Sequence, residues 1–527
     1  MKPRSFSLRH LSQAAGGALL LFGAAMTSFS QSPGEQDPSF AVGSGGDNNV
    51  LALALQPNGQ VIVAGNFDSF DGSAQSGIAR LNPNGSLDPT FNPGLALTGY
   101  SGGAPTINAV ALQADGSVIV AGIFDVEGQT AGSGVARLTP AGALDPTFNV
   151  GSGSYDDGGS VGASYATAVL PSGQILVGGN FLTFNGVGLA GIVRLNTDGS
   201  VDTTFNPGGT GVTPNGYGEA VTSIVPLANG QILIGGGFSA YNGVAEGCIA
   251  LLNADGTLDT AFADGTGPDE SVTALAVQAN GQILVGGGFN NFDGVNAPNI
   301  VRLNTDGSLD TSYDPDANTI YAFDGVSAIL VQPDGSAIIG GDFYAQGGLI
   351  NSPTNGVVRL LADGTVDTTF DASAVPNLGQ ATALLLEANG DLLVGANVNG
   401  TDSDGNVFAL YDVATKPTAT ISAGVALTDE SGGAPGTFIV KLSSAPANAV
   451  VVHYAIGGAA VAGRNYKALT GTVKFQAGQT SKTIDVHAIN KHIKTGAKVA
   501  VKLTLKSGSG YIVGSPNSAK VKIVENR

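Results

Sequence analysis

The sequence predicts an all-β chain: a seven-bladed β-propeller followed by a β-sandwich. Three observations carry this reading. A twelve-residue pattern, fullest from Gln278 to Phe289, occurs seven times, with its other copies ending at Phe67, Phe124, Phe181, Phe238, Phe343 and, degenerate, Val398. A second signature, Asp-x-x-Phe/Tyr, also occurs seven times, at Asp37/Phe40, Asp88/Phe91, Asp145/Phe148, Asp202/Phe205, Asp259/Phe262, Asp310/Tyr313 and Asp367/Phe370. Finally, the charge reverses near Thr415-Lys416-Pro417. Gln31 to Thr415 holds 37 acidic and five basic residues, a net of −32, whereas Lys416 onward holds 14 basic and four acidic, a net of +10. Repeats of about this period mark solenoids or propellers, and a composition break this sharp marks a domain boundary.

The chain opens with Lys2, Arg4 and Arg9, then an apolar, small-rich run from Ala14 to Ala25, then Ser28-Phe29-Ser30 as a small-x-small site. That order is expected of an export signal over residues 1–30. The run is short for a bilayer span. No Cys follows the site to carry a lipid anchor, and no later stretch is apolar enough to cross a membrane.

Each repeat of the propeller, placed at 37–413, reads as four short strands. In the fifth they are Val272 to Val277, Gln282 to Phe289, Asn299 to Leu303 and Ser308 to Tyr313. Asn280-Gly281 joins the first pair and Asp306-Gly307 the second, dipeptides that supply the positive φ of tight hairpins. Four antiparallel strands make one propeller blade. The phase of the two signatures then matters. The first Asp-x-x-Phe precedes any first strand, and the last repeat, Ala381 to Val413, lacks one. Asp37 to Phe40 is therefore expected to complete the last blade and close the ring, leaving no free edge. A column of small residues, Ala52, Ala109, Ala166, Ser223, Ala274, Ala328 and Ala383, fits inner strands crowding an axis.

Strand polarity places the tight turns on one side and the variable links on the other. Those links hold Tyr100, Tyr155, Asp156, Asp157, Tyr217, Glu219, Asp269, Glu270, Tyr321 and Asp324. Variable loops on a rigid scaffold are where binding concentrates, so these ten are the candidate ligand-binding face, with a glycan or a surface protein as partner.

Taken together, Asp-Gly-Ser-Leu-Asp-x-x-Phe, Gln-x-Asn/Asp-Gly-x-Ile-Leu-Val-Gly-Gly-x-Phe and Val-Arg-Leu-Asn make the stretch from Asp37 to Val413 resemble the delta-60 repeat family of exported bacterial proteins. The resemblance implies a propeller-like fold and an exported location, extracellular, cell-surface or periplasmic, and no particular reaction. After a linker at 414–418, residues 419–527 alternate at period two in about seven segments, the pattern of half-buried strands in a sandwich. Ala462-Gly-Arg-Asn-Tyr466 and Phe475-Gln-Ala-Gly-Gln-Thr-Ser-Lys-Thr-Ile484 make this part resemble a Calx-beta domain.

That second resemblance implies calcium as the one candidate cofactor, with Glu430, Asn465 and Glu525 as its ligands. Calcium takes six to eight oxygens, several anionic. Here Asn465 stands where the family has Asp, and the loop from Asn490 to Lys498 is basic, so the residues argue against the ion. The Asn-x-Asp-Gly-x-x-Asp runs, as in Asn196 to Asp202 and Asn304 to Asp310, read as hairpin turns rather than metal loops, their second Asp accepting backbone N–H groups. The arginine one strand earlier is expected to pair with that Asp as a blade-to-blade clamp. The single Cys248, in a Gly-Cys-Ile-Ala run that replaces Gly-Ile-Ala-Arg of a sister repeat, reads as a small buried apolar residue.

Between Gln31 and Thr415 there is no His, no Lys and one thiol, so Ser-His-Asp and Cys-His machinery cannot be assembled there. Only carboxylate-pair chemistry remains open as an enzymatic alternative; a pure spacer is the third reading. A net of −32 repels nucleic acid. The expectation is an exported, monomeric, non-catalytic binding or adhesion protein.

Overall fold

The computed structural model describes residues 33–91, 94, 97–99, 103–127, 134–156, 160–216, 220–313, 320–345, 356–372, 375, 378–387, 390–397, 406–411, 417–429, 434–443, 450–476, 479–489, 498–506 and 511–524, with backbone only at 320–324 and 343–345. The expected signal sequence lies outside the described residues. Among those residues there is no helix.

Seven three-stranded antiparallel sheets follow one another along the repeats, each ordered inner, middle, outer. The first is Val50–Leu55, Val61–Gly65 and Ile78–Leu81; the fifth is Val272–Val277, Ile283–Gly287 and Ile300–Leu303; the last is Gln380–Leu386, Leu392–Asn397 and Val407–Leu410. Middle strands such as Val61–Gly65 are buried at every residue, because a neighbouring sheet covers each face. Each small residue of the column falls next to a register shift or opposite the middle strand, as in Ala52 with Ala64, Ala166 with Gly178 and Ala383 with Gly395.

Successive sheets pack closely enough to demand glycine at one position. A Cβ added at Gly178, Gly235, Gly286 or Gly395 would lie 2.7 Å from the Cγ1 of Val221, Val272, Val326 or Val50 in the next sheet. The last of these joins the seventh sheet to the first. The Thr222 hydroxyl donates to the Val272 carbonyl at 2.7 Å, and Thr273 and Thr382 repeat that bond to Val326 and Val50. The ring therefore closes by the same contacts that build its interior. A separate hydrophobic cluster fills each junction, Phe40, Val50, Val63 and Leu393 meeting at the closing one.

The amino-terminal segment completes the last sheet, as its phase requires. Gln36 bridges Leu410, the Asp37 amide donates to the Ala409 carbonyl at 2.8 Å, and the Tyr411 hydroxyl donates to Asp37 Oδ1 at 2.9 Å.

Two details differ from the sequence reading. The fourth strand shrinks to one bridge, Leu303 to Leu309 in the fifth repeat. The Asp310 carboxylate bends the chain there by accepting the Ser312 N–H and hydroxyl at 3.0 and 2.6 Å, an Asx turn that competes with the ladder. The variable links also contain unexpected two-residue hairpins, such as Ser69–Phe70 with Ser73–Ala74 and Asn291–Phe292 with Val295–Asn296. Their turn residues Asp71, Asn185, Asn242 and Asp293 adopt φ of 47–49°, so Asx-Gly turns occur on both sides of the ring, not one. In the main turns only the glycine has positive φ, as at Gly59, which is a turn-plus-bulge geometry.

The second domain is a two-sheet sandwich. Four strands run in the order Ser481–Val486, Gly436–Leu442, Thr418–Ala423, Ile512–Val513, and five in the order Leu427–Asp429, Ser518–Val524, Lys498–Leu505, Val450–Gly457, Thr472–Phe475. Phe438, Val452, Phe475, Val501, Leu503 and Val521 form its dry core.

Candidate functional site

The strand-three arginine and the strand-four aspartate build the most repeated polar site. Arg302 Nε donates to Asp310 Oδ2 at 2.8 Å and its Nη1 to the Ala362 carbonyl at 2.6 Å. The guanidinium also lies 4.5 Å from the Tyr313 ring centroid. Arg80, Arg137 and Arg194 do the same with Asp88, Asp145 and Asp202, each reaching a carbonyl 60 residues onward. Arg359 pairs with Asp367. The ion pair is thus internal to a sheet, and the link between sheets is the arginine–carbonyl bond. A glutamine from the first turn adds a further donor, Gln282 Nε2 to Asp310 Oδ2 at 2.9 Å. Burial alone would raise the Asp310 carboxyl, but the Ser312 and Arg302 donors and the arginine's charge outweigh it and bring it down to about 2. These carboxylates are framework.

Of the ten loop residues singled out by sequence, Tyr100, Asp157, Tyr217 and Glu219 lie outside the described residues, and Tyr321 and Asp324 are described in backbone only, within Ile320–Val331. Tyr155 sits in a short strand paired with Thr183–Phe184. Asp156 accepts the Ser160 N–H at 2.8 Å, closing its own loop. Asp269 accepts the Asn290 and Asn291 N–H groups at 2.9 and 3.0 Å and the Asn291 side chain at 2.8 Å. It therefore braces a hairpin, as Asp47 does in the first repeat. Glu270 is exposed beside it. The Tyr155–Asp156 link feeds the third sheet and the Asp269–Glu270 link the fifth, so the fourth sheet separates them.

That fourth sheet holds what the sequence reading missed. Leu251 occupies the arginine position, and Asp259 keeps the Gln231 amide at 2.6 Å. Asp264 stands where the sister repeats have the buried Val42 and Val150. It is 6% exposed, and its Oδ2 has no hydrogen-bond partner. Burial pushes it up to about 6, with Asp293's charge adding. Glu246, where Leu189 stands in the third repeat, is pushed up to about 7 by burial and by Asp264. Nearby, Cys248 is buried at φ 64° in a position that is Gly77 in the first repeat. Its thiol accepts from Asn215 Nδ2 at 3.3 Å, and burial raises it, which suits packing and not nucleophilic attack.

Of the calcium set only Asn465 lies among the described residues. Asn465 Oδ1 accepts the Val461 N–H at 2.8 Å, locking a turn, and Glu430 and Glu525 lie outside the described residues. Among the described residues no group of three or more His, Cys, Asp or Glu is arranged to hold a metal ion. No described helix is long and apolar enough to cross a membrane.

Two family models agree with this architecture. The family described as "Domain of unknown function (DUF5122) beta-propeller" matches residues 56–91, 113–148, 170–205, 227–262, 278–313 and 332–370, and the Calx-beta domain matches 413–527. No curated protein matches the chain. Among solved structures, the apo-form Calx CBD1 domain is 16% identical over 21% of this chain and 99% of that one, with a TM-score of 0.18. The calcium binding domain CBD12 of CALX1.1 is 16% identical over 20% of this chain and 44% of that one, at 0.18. A protein of unknown function from Bacteroides caccae is 16% identical over 60% of this chain and 96% of that one, at 0.30. The chain is a DUF5122-type β-propeller repeat protein whose repeats are followed by a Calx-beta domain.

Proposed function

We propose that this chain is an exported, non-catalytic binding protein of the cell surface or extracellular space, contacting a glycan or protein through the loop side of the propeller. The observation that carries the reading is how that side is built. Short hairpins braced by Asp47 and Asp269 fix the links at the same point of different repeats, while the link sequences themselves differ from sheet to sheet. A rigid base with variable tips is the usual arrangement of a recognition surface. The test is a glycan array probed with the full chain, with and without calcium, alongside an assay for released reducing ends. Binding without turnover, weakened by Glu270→Ala and unaffected by chelation, is expected. Turnover, or an array with no retained ligand beside a protein-binding screen that is also blank, would sink the reading.

One observation favours a second reading. Glu246 and Asp264 stand where sister repeats have apolar residues, and burial pushes both carboxyls upward, the direction a general acid needs. If the chain cleaves a polysaccharide by paired carboxylates, Glu246→Gln and Asp264→Asn each abolish product release while leaving binding intact; loss of neither rules this out.

A further inference from the structure

The solvent side of the five-stranded sheet in the sandwich carries five lysines. Along Ser518–Val524, Val521 and Ile523 point into the core and Lys520 and Lys522 out to solvent. Along Lys498–Leu505, Val501, Leu503 and Leu505 are buried, which places Lys498 and Lys502 on the outer side. Lys474 joins them from Thr472–Phe475, and His453 from the strand between. Lys502 and Lys520 are direct cross-strand partners, a like-charge pairing that opposes sheet formation. Among the described residues, Asp429, in the edge strand beside Ser518–Val524, is the carboxylate on this side of the sheet. Among the described residues every ion pair joins an arginine to an aspartate; none uses a lysine.

The opposite charge is displayed with equal regularity on the tight-turn side of the propeller. Asp115, Asp198, Asp255, Asp306, Asp334 and Asp363 are exposed at turn tips. The first and second turns of one sheet are neighbours there, a Cβ on Gly116 lying 3.5 Å from Pro140 and one on Gly335 3.4 Å from Ala362. Each aspartate accepts the N–H two residues on through Oδ1, for example Ser200 to Asp198 at 3.0 Å and Thr257 to Asp255 at 3.0 Å. The turn therefore fixes the carboxylate's direction and leaves Oδ2 for an incoming cation. Hydroxyl and N–H donors from Ser200 hold the Asp198 carboxyl below its usual range, as Thr257 does for Asp255. The five propeller arginines do not cancel this charge, since their ion pairs are with the strand-four aspartates.

We propose that the lysine face of the sandwich docks onto the aspartate-bearing turns of the propeller of a second copy of this chain. Among the described residues, the propeller turns complement the lysines in sign, and they repeat at regular spacing with their carboxylates fixed in direction. The contact is heterologous, so association continues head to tail instead of stopping at a symmetric dimer. It is independent of the loop side assigned to ligand. Copies with a net charge of −19 repel at long range, and at about 0.1 M salt the Debye length of about 10 Å confines that repulsion while contact pairs persist.

The test is sedimentation velocity of the full chain over a hundredfold range of concentration in about 0.1 M and about 0.5 M sodium chloride. The expected result is a weight-average mass that climbs with concentration at low salt and falls to that of the monomer at high salt. Lys502→Gln/Lys520→Gln/Lys522→Gln and, separately, Asp198→Asn/Asp255→Asn/Asp306→Asn each abolish the climb. Both sets are at exposed or half-buried positions, and an unchanged thermal melt shows that the variants fold. A monomer at every concentration overturns the proposal. So does a monomer that merely compacts at low salt, which assigns the lysines to the chain's own propeller. Association lost in the lysine variant but kept in the aspartate variant overturns it too, because the lysines then meet another surface.

Discussion

Five of the propeller's sheets carry the arginine clamp and two do not, and the two exceptions are where the ring does something besides repeat. In the seventh sheet Ala409 takes the arginine position, and the aspartate it would have held arrives from the other end of the chain as Asp37, fixed by Tyr411. In the fourth, Leu251 takes the position, and the neighbouring junction contains the carboxyl pair Glu246 and Asp264 in place of apolar residues. The clamp thus marks sectors whose task is to join neighbours. Where it is missing, the sequence has been released for closure in one case and for an unsatisfied buried acid in the other. Departures from local consistency of this kind gather at sites with a task other than stability.

The largest effect is expected at the seam. Removing Asp37 to Phe40 exposes the edge Val407–Leu410 and the closing cluster, and Phe40→Ala alone is expected to cost roughly 3 kcal/mol because Phe40 is buried there; chemical denaturation measures it. Next in size is Arg302→Met, which strands Asp310 beside Gln282 and Ser312 and breaks the bond to the Ala362 carbonyl. Loss of one partner of a buried pair costs roughly 3 kcal/mol, and a calorimetric melt unchanged from the parent would remove the clamp from the account.

The fourth sector sharpens the contrast through pH. Asp264 and Glu246 have folded-state values raised above their unfolded ones. The fold therefore binds their protons more tightly, and its advantage is whole below about pH 4 and lost as pH climbs through about 6 to 7. Asp310 and Asp88, lowered to about 2, act oppositely: their contribution is present above their unfolded value of 3.8 and disappears as pH falls toward 2. Asp264→Val is expected to raise stability at pH 8 by roughly 2 kcal/mol and to leave it nearly unchanged at pH 4. A pH-independent effect would mean that the junction never felt the charge. The smallest effect belongs to the sandwich, where Lys502→Gln relieves the pairing with Lys520 and gains a few tenths of a kcal/mol at about 0.01 M salt, fading as salt rises.

Much of this was legible in the residues themselves. The two seven-fold signatures and their offset were enough to place Asp37 against the last sheet, because alternation and turn chemistry are local and a phase difference survives any tertiary detail. Arg302 and Asp310 could be paired from spacing alone. The fourth strand was over-read, since Leu309 bridges once before Asp310's side chain takes over the backbone donors. The two-residue hairpins at Ser69 and Asn291 are too short to show alternation. The sequence places Asp269 on the binding face because it is an acid in a variable link; that it accepts the Asn290 and Asn291 N–H groups depends on where a segment 21–22 residues onward lies. Asp264 left a signal that aligning the repeats reveals, an acid in the column of Val42 and Val150, but its unpaired oxygen is visible only once Glu246 and Asp293 are brought near it.

Native-state hydrogen exchange tests the closed ring most directly. The amides of Gly34, Asp37 and Tyr411 bond across the seam to Tyr411, Ala409 and Glu35, as the Asp88 and Asp310 amides bond to Arg80 and Arg302 within one continuous stretch of chain. Protection of the seam amides equal to that of Asp88 and Asp310 is expected. Rapid exchange at Asp37 and Tyr411 while Asp88 and Asp310 stay protected would contradict it.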